Sequence, residues 1–275
     1  MVRAIKLILY YLAYQLLFIF LATGTDATIA LIGGADITAN FRPGTMAISI
    51  GMLLSALAMT WHLVHFHYVK FNKKSMYEIS KKIILLCIPL LLSAQFIAGI
   101  LNEALDLTDT NQELFISMSH NIFGVLSIAI VVPILEEVLF RGAIEGHLLR
   151  KGWSPKWAIL VSALIFGIIH GNPAQIPFAF LIGLLFGWLY YRTRSLVPGI
   201  VGHIINNSFG AWTMFTATRE ELSQTTMETL GTTITYILLV LAIIVFIGMY
   251  LYLNKYLPKP TNIQVKAINE QDITI

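Results

Sequence analysis

Charged side chains are scarce in this chain, and that scarcity decides its class. Asp, Glu, Lys and Arg make up 12% of the 275 residues, whereas an average soluble domain holds about a quarter. Hydrophobic residues make up 57% and the mean hydropathy is +0.75, which excludes an ordinary soluble domain. We therefore predict an all-α polytopic membrane protein, a single membrane domain over residues 1–275 with membrane lipids as partners. The net charge of +3 gives no reason to expect a nucleic-acid partner, because Lys and Arg of membrane proteins gather in cytoplasmic loops.

The motifs of several common hydrolases are also missing. The one cysteine, Cys87, excludes an internal disulfide and has no nearby histidine in sequence. Without a GxSxG motif, a serine nucleophile elbow is not expected. Without an HExxH motif, the usual ligand pattern of zinc proteases is not expected. Asp26 and Asp36 fall in a predicted loop, so a pair of membrane aspartates is not expected either.

Long apolar runs predict eight transmembrane helices. They lie at about residues 5–22, 46–69, 83–101, 115–149, 157–170, 176–191, 196–215 and 233–253. The first run is longer than the apolar core of a signal peptide, and Gly24-Thr25-Asp26 is a poor cleavage site, so we expect an uncleaved helix. Residues 24–44 form the first predicted loop, and residues 256–275 form a predicted cytoplasmic tail.

The loops alternate in charge, and this alternation predicts the orientation. The N-terminus, the segments 70–82, 150–156 and 192–194, and the C-terminus are basic, whereas the segments 103–113 and 219–228 are acidic. Because Lys and Arg favour cytoplasmic loops, we expect a multi-pass protein of the plasma membrane with both termini in the cytoplasm.

One apolar stretch, from Pro133 to Gly142, contains two adjacent carboxylates and an arginine. Each such charge costs roughly 2.5–3.5 kcal/mol at the centre of a membrane-spanning helix, so it is expected to be paired, hydrated or functional. Glu137 and Arg141 are four residues apart and can pair on one face of an α-helix. Glu136 lies about 100° around the helix from Glu137 and is not accounted for by that pair.

Two further predicted spans contain polar groups that can lie near the level of Glu136. Glu136 precedes Arg150 by 14 residues, and His170 follows Lys156 by 14 residues. At 1.5 Å per residue, both lie about 21 Å from the same cytoplasmic turn. His203 and Asn207 are four residues apart and share a helix face. Counted from Arg194, Asn207 falls at a similar depth and His203 somewhat shallower.

A glutamate and two histidines around a water molecule, with an amide donor nearby, suit hydrolysis. Glu136 can take a proton from water as a general base. His170 and His203 can orient that water, bind a metal or protonate the leaving amine. Asn207 can donate to a developing oxyanion. The alternative is that these polar side chains form structural hydrogen bonds between helices.

Three motifs now stand in order: Glu-Glu-x-x-x-Arg at 136–141, Phe-x-x-x-His at 166–170 and His-x-x-x-Asn at 203–207. Together they resemble the CPBP family of intramembrane proteases, which includes type II CAAX prenyl endopeptidases and bacterial bacteriocin-processing or self-immunity proteins with the Abi domain. The resemblance implies a catalytic core at 115–215. It also implies the roles given above for the four polar residues, with Glu137, Arg141 and Phe166 in support.

The predicted function is therefore an intramembrane endopeptidase that cuts a hydrophobic or lipid-anchored peptide in a cavity among the fourth, fifth and seventh spans. A glutamic-type mechanism without a cofactor is favoured. If a divalent metal such as zinc is used, Glu136, His170 and His203 are its expected ligands. Peptide precursors or bacteriocins are expected as substrates more than CAAX proteins. Two alternatives are a non-enzymatic immunity or partner protein, and a proton-coupled transporter.

Overall fold

The computed structural model describes residues 2–34, 41–69 and 81–257, and within these ranges the chain forms helices and no strand. Asp36, the lysines of segment 70–80 and residues 258–275, which include most of the predicted tail, lie outside the described residues. The helices are α1 (Val2–Ile32), α2 (Thr45–His65), α3 (Lys81–Ala104), α4 (Gln112–Ser119), α5 (Ile122–Arg150), α6 (Pro155–Ile169), α7 (Ile176–Thr193), α8 (Val197–Thr216), α9 (Arg219–Ser223), α10 (Thr226–Leu230) and α11 (Thr232–Tyr256).

The prediction of an all-α polytopic membrane protein is confirmed. In the described part of the chain, six helices are long and apolar enough to cross a membrane, namely α1, α2, α3, α5, α7 and α11. The other two predicted spans correspond to α6, which has 15 residues, and α8, which has 20. Helix α8 is long enough, but His203, Asn206 and Asn207 lower its hydropathy. The polar residues that suggest a function therefore also make α8 look less like a membrane span.

The predicted boundary of the first span is wrong, because α1 continues to Ile32 instead of ending near residue 22. Gly24, Thr25 and Asp26 are helical and do not belong to the loop. The hydroxyls of Thr25 and Thr28 donate to the backbone carbonyls four residues earlier, at 2.8 Å in both cases, so these polar residues are satisfied within the helix. The carboxylate of Asp26 accepts a hydrogen bond from the Gly44 N–H at 2.7 Å.

The predicted fourth span, residues 115–149, is two helices, α4 and α5. The first ends at Ser119, with His120 as its C-cap. Asn121 begins the second, because its side chain accepts the Gly124 N–H at 2.7 Å as an N-cap. Helix α5 also departs from α-helical geometry, since Leu126–Val131 and Glu137–Glu145 are π-helical. A π-helix has more residues per turn and advances less along its axis, so the 21 Å estimated for Glu136 is too long.

The chain divides into two compact units. The first consists of Met1–Val69, Asn111–Leu139 and His203–Ala217. In this unit α1 packs closely on α2, where a Cβ added to Gly51 would lie 2.8 Å from the Ile19 Cα. Ser127 of α5 donates its hydroxyl to the Ser49 carbonyl of α2 at 3.0 Å. These contacts place α1, α2 and the first half of α5 in one packed group.

The second unit consists of Lys70–Thr110, Phe140–Gly202 and Thr218–Ile275. Its core joins α3, α7 and α11 through apolar side chains that include Cys87, Leu90, Phe186 and Leu253. Cys87 is buried and is a free thiol. Helix α7 also packs against α6, because Gly183 lets the two backbones approach near Ala163.

Arg192 binds the C-terminal end of α11 within the second unit. This side chain is 4% exposed, and its guanidinium donates to the Asn254 side chain, to the Asn254 carbonyl at 2.7 Å and to the Leu257 carbonyl at 2.5 Å. The last carbonyls of a helix have no intrahelical donor and carry partial negative charge. Arg192 donates hydrogen bonds to these carbonyls and places a positive charge beside them at the end of α11.

We predict that Arg192→Ala lowers the free energy of unfolding by about 2–4 kcal/mol, because it strips donors from buried acceptors. The measurement is unfolding in detergent micelles. Lys151→Ala, an exposed cation in the same unit, is the control and is expected to change it by less than about 0.5 kcal/mol. Equal effects of the two substitutions would contradict the assignment.

Two short helices, α9 and α10, begin with matching capping boxes. Thr218 and Thr225 each exchange hydrogen bonds with the glutamate three residues later, Glu221 and Glu228. The bond from the threonine backbone N–H holds the pKa of each carboxyl below its ordinary 4.5, and the threonine hydroxyl adds to the effect. A depressed folded-state pKa stabilises the cap above the unfolded-state pKa, and this stabilisation is lost as the pH falls through the folded-state value.

We therefore expect both carboxyls to titrate below 4.5 in an NMR titration of carbon-13-labelled glutamate. Thr218→Val removes one hydroxyl and is expected to raise the pKa of Glu221 while leaving that of Glu228 unchanged. A shift of both carboxyls together would show that the boxes do not act separately.

Candidate active site

The two adjacent glutamates lie where α5 changes its helical register. Glu136 is the last residue of the α-helical segment Val132–Glu136, and Glu137 is the first residue of the π-helical segment that ends at Glu145. Both glutamates are buried: Glu136 is 6% exposed and Glu137 is 1% exposed. π-Helical turns are rare and often occur at functional sites. The register change therefore coincides with the most costly charges in the span.

His203 of α8 meets both carboxylates in the first unit. Its Nε2 lies 3.5 Å from Glu136 Oε2, and its Nδ1 lies 3.2 Å from Glu137 Oε1. The His203 side chain is 7% exposed, so water screens these interactions weakly. One imidazole is thus held between two carboxylates, with one ring nitrogen directed to each.

The positions of the protons follow from the chemistry of imidazole. A neutral ring donates from only one nitrogen, and a protonated ring donates from both. With both carboxylates ionised, His203 must be protonated to bond to both. If His203 is neutral and the total number of protons is unchanged, one carboxyl is protonated. That carboxyl then donates a hydrogen bond to the unprotonated ring nitrogen of His203. The two arrangements differ by the shift of one proton, so the cluster can exchange a proton between Glu136 and His203.

Asn207, one turn after His203, is engaged at both ends of its amide. Its Nδ2 donates to the Ile128 carbonyl at 2.9 Å, and its Oδ1 accepts from the Asn206 Nδ2 at 3.0 Å. Ile128 lies in the first π-helical segment of α5. The structure thus places Asn207 against the backbone of α5, two turns before the glutamates.

His170 and Phe166 belong to the second unit. His170 is the C-cap of α6, and its Nδ1 donates to the Phe166 carbonyl at 2.7 Å. This bond leaves the lone pair of Nε2 as an acceptor. The Phe166 ring stands edge-on to the His170 ring, with centroids 4.9 Å apart. Phe166 therefore packs beside His170.

Arg141 also lies in the second unit and is 1% exposed. Its guanidinium donates to the Gly183 carbonyl at 3.2 Å and lies 4.4 Å from the centre of the Phe166 ring. A second ring, that of Phe186, lies 5.4 Å away. Arg141 is thus surrounded by aromatic faces, which attract a cation. Its predicted pairing with Glu137 stays a prediction.

Sequence reasoning assigned Glu137 to Arg141 and left only Glu136 for a histidine. The contact of Glu137 with His203 was missed, as were the two π-helical segments. Two adjacent acids point in directions about 100° apart, so an imidazole inserted between them can reach both. The pair of neighbouring glutamates was the available signal, together with Pro133 within the same helix.

The residues of the first unit do not by themselves fit a metal centre. Among the described residues, no three His, Cys, Asp or Glu side chains are grouped to hold a metal ion. Glu136 and His203 provide two donors 3.5 Å apart, whereas a catalytic zinc site uses three protein ligands. The Nδ1 of His203 faces Glu137 on the other side of the ring, so this carboxylate cannot complete the set.

Comparison with known families agrees with the motifs. Residues 118–209 match the family described as type II CAAX prenyl endopeptidase Rce1-like. The matched range contains all three motifs and every predicted site residue. The resemblance inferred from the motifs is confirmed for this segment.

Three bacterial proteins share part of the sequence. YdiL of Bacillus subtilis (strain 168), whose name describes a membrane peptidase, is 38% identical over 81 residues, which are 30% of this chain and 33% of YdiL. The membrane-embedded CAAX protease MroQ of Staphylococcus aureus (strain USA300) is 33% identical over 106 residues, 37% of this chain and 42% of MroQ. The UPF0177 protein YxdF of Lactococcus lactis subsp. lactis (strain IL1403) is 28% identical over 122 residues, 44% of this chain and 63% of YxdF.

The chain therefore spans less than two thirds of the length of each of these relatives. No solved structure matches the chain.

We predict that Glu137→Ala disturbs His203 more than Glu137→Gln does. Alanine removes the acceptor at Nδ1, whereas glutamine keeps an oxygen at that place without the charge. Loss of a buried charge-assisted hydrogen bond is expected to cost about 1.5–3 kcal/mol of stability. Nitrogen-15 NMR of labelled histidine reports whether the Nδ1 of His203 stays protonated, and the same tautomer in wild type and Glu137→Ala would contradict the role of this contact.

Proposed function

We propose that the chain is an intramembrane endopeptidase, because residues 118–209 match the family described as type II CAAX prenyl endopeptidase Rce1-like. The observation that carries the proposal is the buried cluster of Glu136, His203 and Glu137. Three titratable groups in contact within a membrane protein are costly unless they serve a purpose. Proton transfer to and from water is the chemistry that such a cluster can perform.

In the proposed reaction Glu136 is the general base. Its ionised carboxylate takes a proton from a water molecule, and the water oxygen forms a bond to the carbonyl carbon of the substrate peptide. The electron pair of the carbonyl moves to its oxygen. When the tetrahedral intermediate collapses, the carbon–nitrogen bond breaks and the proton on Glu136 passes to the leaving amine. Water is consumed, and a carboxylic acid and an amine are released.

His203 and Glu137 support the base in this scheme. The charge of a protonated His203, 3.5 Å from Glu136, stabilises the ionised carboxylate, and the hydrogen bond to Glu137 holds the second ring nitrogen. We assign His170 a water-positioning role because of its motif. The lone pair on its Nε2 can accept a hydrogen bond from water, since its Nδ1 donates to the Phe166 carbonyl. The proposed mechanism is glutamic, with the chain's own side chains moving the proton.

The proposed substrate is a hydrophobic or lipid-anchored peptide. The two glutamates of the cluster lie in α5, which is apolar enough to cross a membrane, so a peptide that partitions into the membrane reaches them most readily. The name of MroQ describes a CAAX protease, which supports a peptide bond as the target. Precursors of secreted peptides and bacteriocins are the proposed substrate class.

We propose a plasma-membrane location with both termini in the cytoplasm. Contacts within each unit support the alternation of loops. Arg3 lies over the Tyr68 ring, and Lys82 lies over the Tyr256 ring, so segments predicted to be cytoplasmic meet each other. On the opposite side, Glu103 accepts the Thr226 N–H at 3.0 Å, which joins two acidic loops.

We predict that Glu136→Gln, His170→Ala and His203→Ala each lower the rate of peptide cleavage by about 10²–10⁴-fold. Glu136 and His203 belong to the proposed proton-transfer cluster, and His170 is proposed to position the water. The measurement uses purified protein in liposomes with a mixture of internally quenched apolar peptides, half of which carry a farnesylated cysteine. Glu220→Gln, an exposed carboxylate of the 219–228 loop, is the matched control and is expected to keep the wild-type rate.

Cleavage at the wild-type rate by Glu136→Gln would remove the base assignment. Proton uptake into vesicles without any cleavage would favour a transporter. An immunity phenotype that survives all three substitutions at normal protein levels would favour a non-enzymatic partner protein.

A further inference from the structure

The register of α5 places one backbone carbonyl opposite a proline instead of a helical donor. In the first π-helical segment the N–H of Val132 donates to the carbonyl of Ser127, five residues earlier. In the same register the carbonyl of Ile128 would accept from residue 133. That residue is Pro133, which has no N–H. Ile128 is 9% exposed, so water is a poor substitute for the missing donor.

The amide of Asn207 takes the place of that donor. Its Nδ2 lies 2.9 Å from the Ile128 carbonyl oxygen. Its Oδ1 accepts from Asn206 at 3.0 Å, which holds the amide with nitrogen towards α5. One N–H of the residue predicted to stabilise the oxyanion is thus bonded to a backbone carbonyl of α5.

This bond lies in a series of contacts between α8 and α5. One turn before Asn207, His203 reaches Glu136 and Glu137. One turn after it, Ala211 packs in one apolar cluster with Ile128 and Ala129. Residues 203, 207 and 211 share a helix face because they are four apart. The hydrogen bond at the centre therefore sets both the rotation of α8 and its position along α5.

We infer that Asn207 is a positioning residue: it binds the carbonyl that Pro133 leaves without a donor, and so holds His203 between Glu136 and Glu137. The inference rests on the proposed function for its catalytic consequence, and it gives Asn207 a positioning role in place of an oxyanion role as the cause of its effect on kcat. Pro133 has a purpose in this arrangement, since an ordinary residue at 133 would occupy the carbonyl with its own N–H.

The test is a double-mutant cycle of Asn207→Ala and Pro133→Ala in liposomes, with the same quenched peptide mixture. Asn207→Ala alone is expected to lower kcat about 10²-fold with little change in KM, because His203 is misplaced. Pro133→Ala restores a backbone donor for the Ile128 carbonyl. In that background the loss caused by Asn207→Ala is expected to shrink to about threefold.

An oxyanion donor behaves differently in this cycle. Its removal costs about 10²–10³-fold in kcat in both backgrounds, because the proline has no part in it. Equal losses in the two backgrounds therefore overturn the inference. The pH profile of kcat is a second readout, because it depends on the position of His203 between Glu136 and Glu137. The profile is expected to shift in Asn207→Ala and to return to the wild-type profile in the double variant.

Folding gives a readout that does not depend on catalysis. The melting midpoint of Asn207→Ala in micelles is expected to fall, and Pro133→Ala is expected to recover most of the loss. If Asn207→Ala alone does not accumulate in the membrane, accumulation of the double variant with Pro133→Ala supports the same coupling. Failure of both variants to accumulate contradicts the coupling. A wild-type cleavage rate in Glu136→Gln overturns the proposed function but leaves this comparison of melting midpoints intact.

Discussion

The contact on which the first unit depends is that of His203 with two buried carboxylates. Two neighbouring carboxylates within one helix repel each other and are costly away from water. A single imidazole relieves both problems because its two nitrogens face opposite sides. The same contact creates the chemistry, since a proton shared by three groups is available for transfer. Stabilisation of the fold and the proposed catalysis therefore rest on one interaction.

The register of α5 makes this contact possible. Two π-helical segments flank the short α-helical turn that ends at Glu136, and Pro133 lies in that turn. A regular α-helix would satisfy every carbonyl by itself and would offer no attachment point for α8. The irregular helix leaves the Ile128 carbonyl to the side chain of Asn207. The irregular backbone of α5 thus allows a polar side chain of α8 to join the two helices.

Much of this architecture could be predicted from sequence, and the part that could not has physical causes. Apolar runs and charged loops predicted the membrane helices because lipid requires continuous hydrogen-bonded spans. Helix ends were less predictable: Thr25 and Thr28 bond to their own helix and extend α1 past Gly24. The motifs contain Glu136, Glu137 and His203, which the structure brings into contact. Its internal pairing depends on π-helical register, which periodicity arguments based on 3.6 residues per turn cannot reveal.

Comparative peptidomics of membranes is the most direct test of the central claim that Glu136 activates water for peptide hydrolysis. Membranes with the wild-type chain are compared with membranes holding equal amounts of Glu136→Ala. The account predicts that at least one hydrophobic peptide accumulates uncut in the variant, while its two fragments occur only with the wild type. Identical peptide profiles at equal protein levels would contradict it.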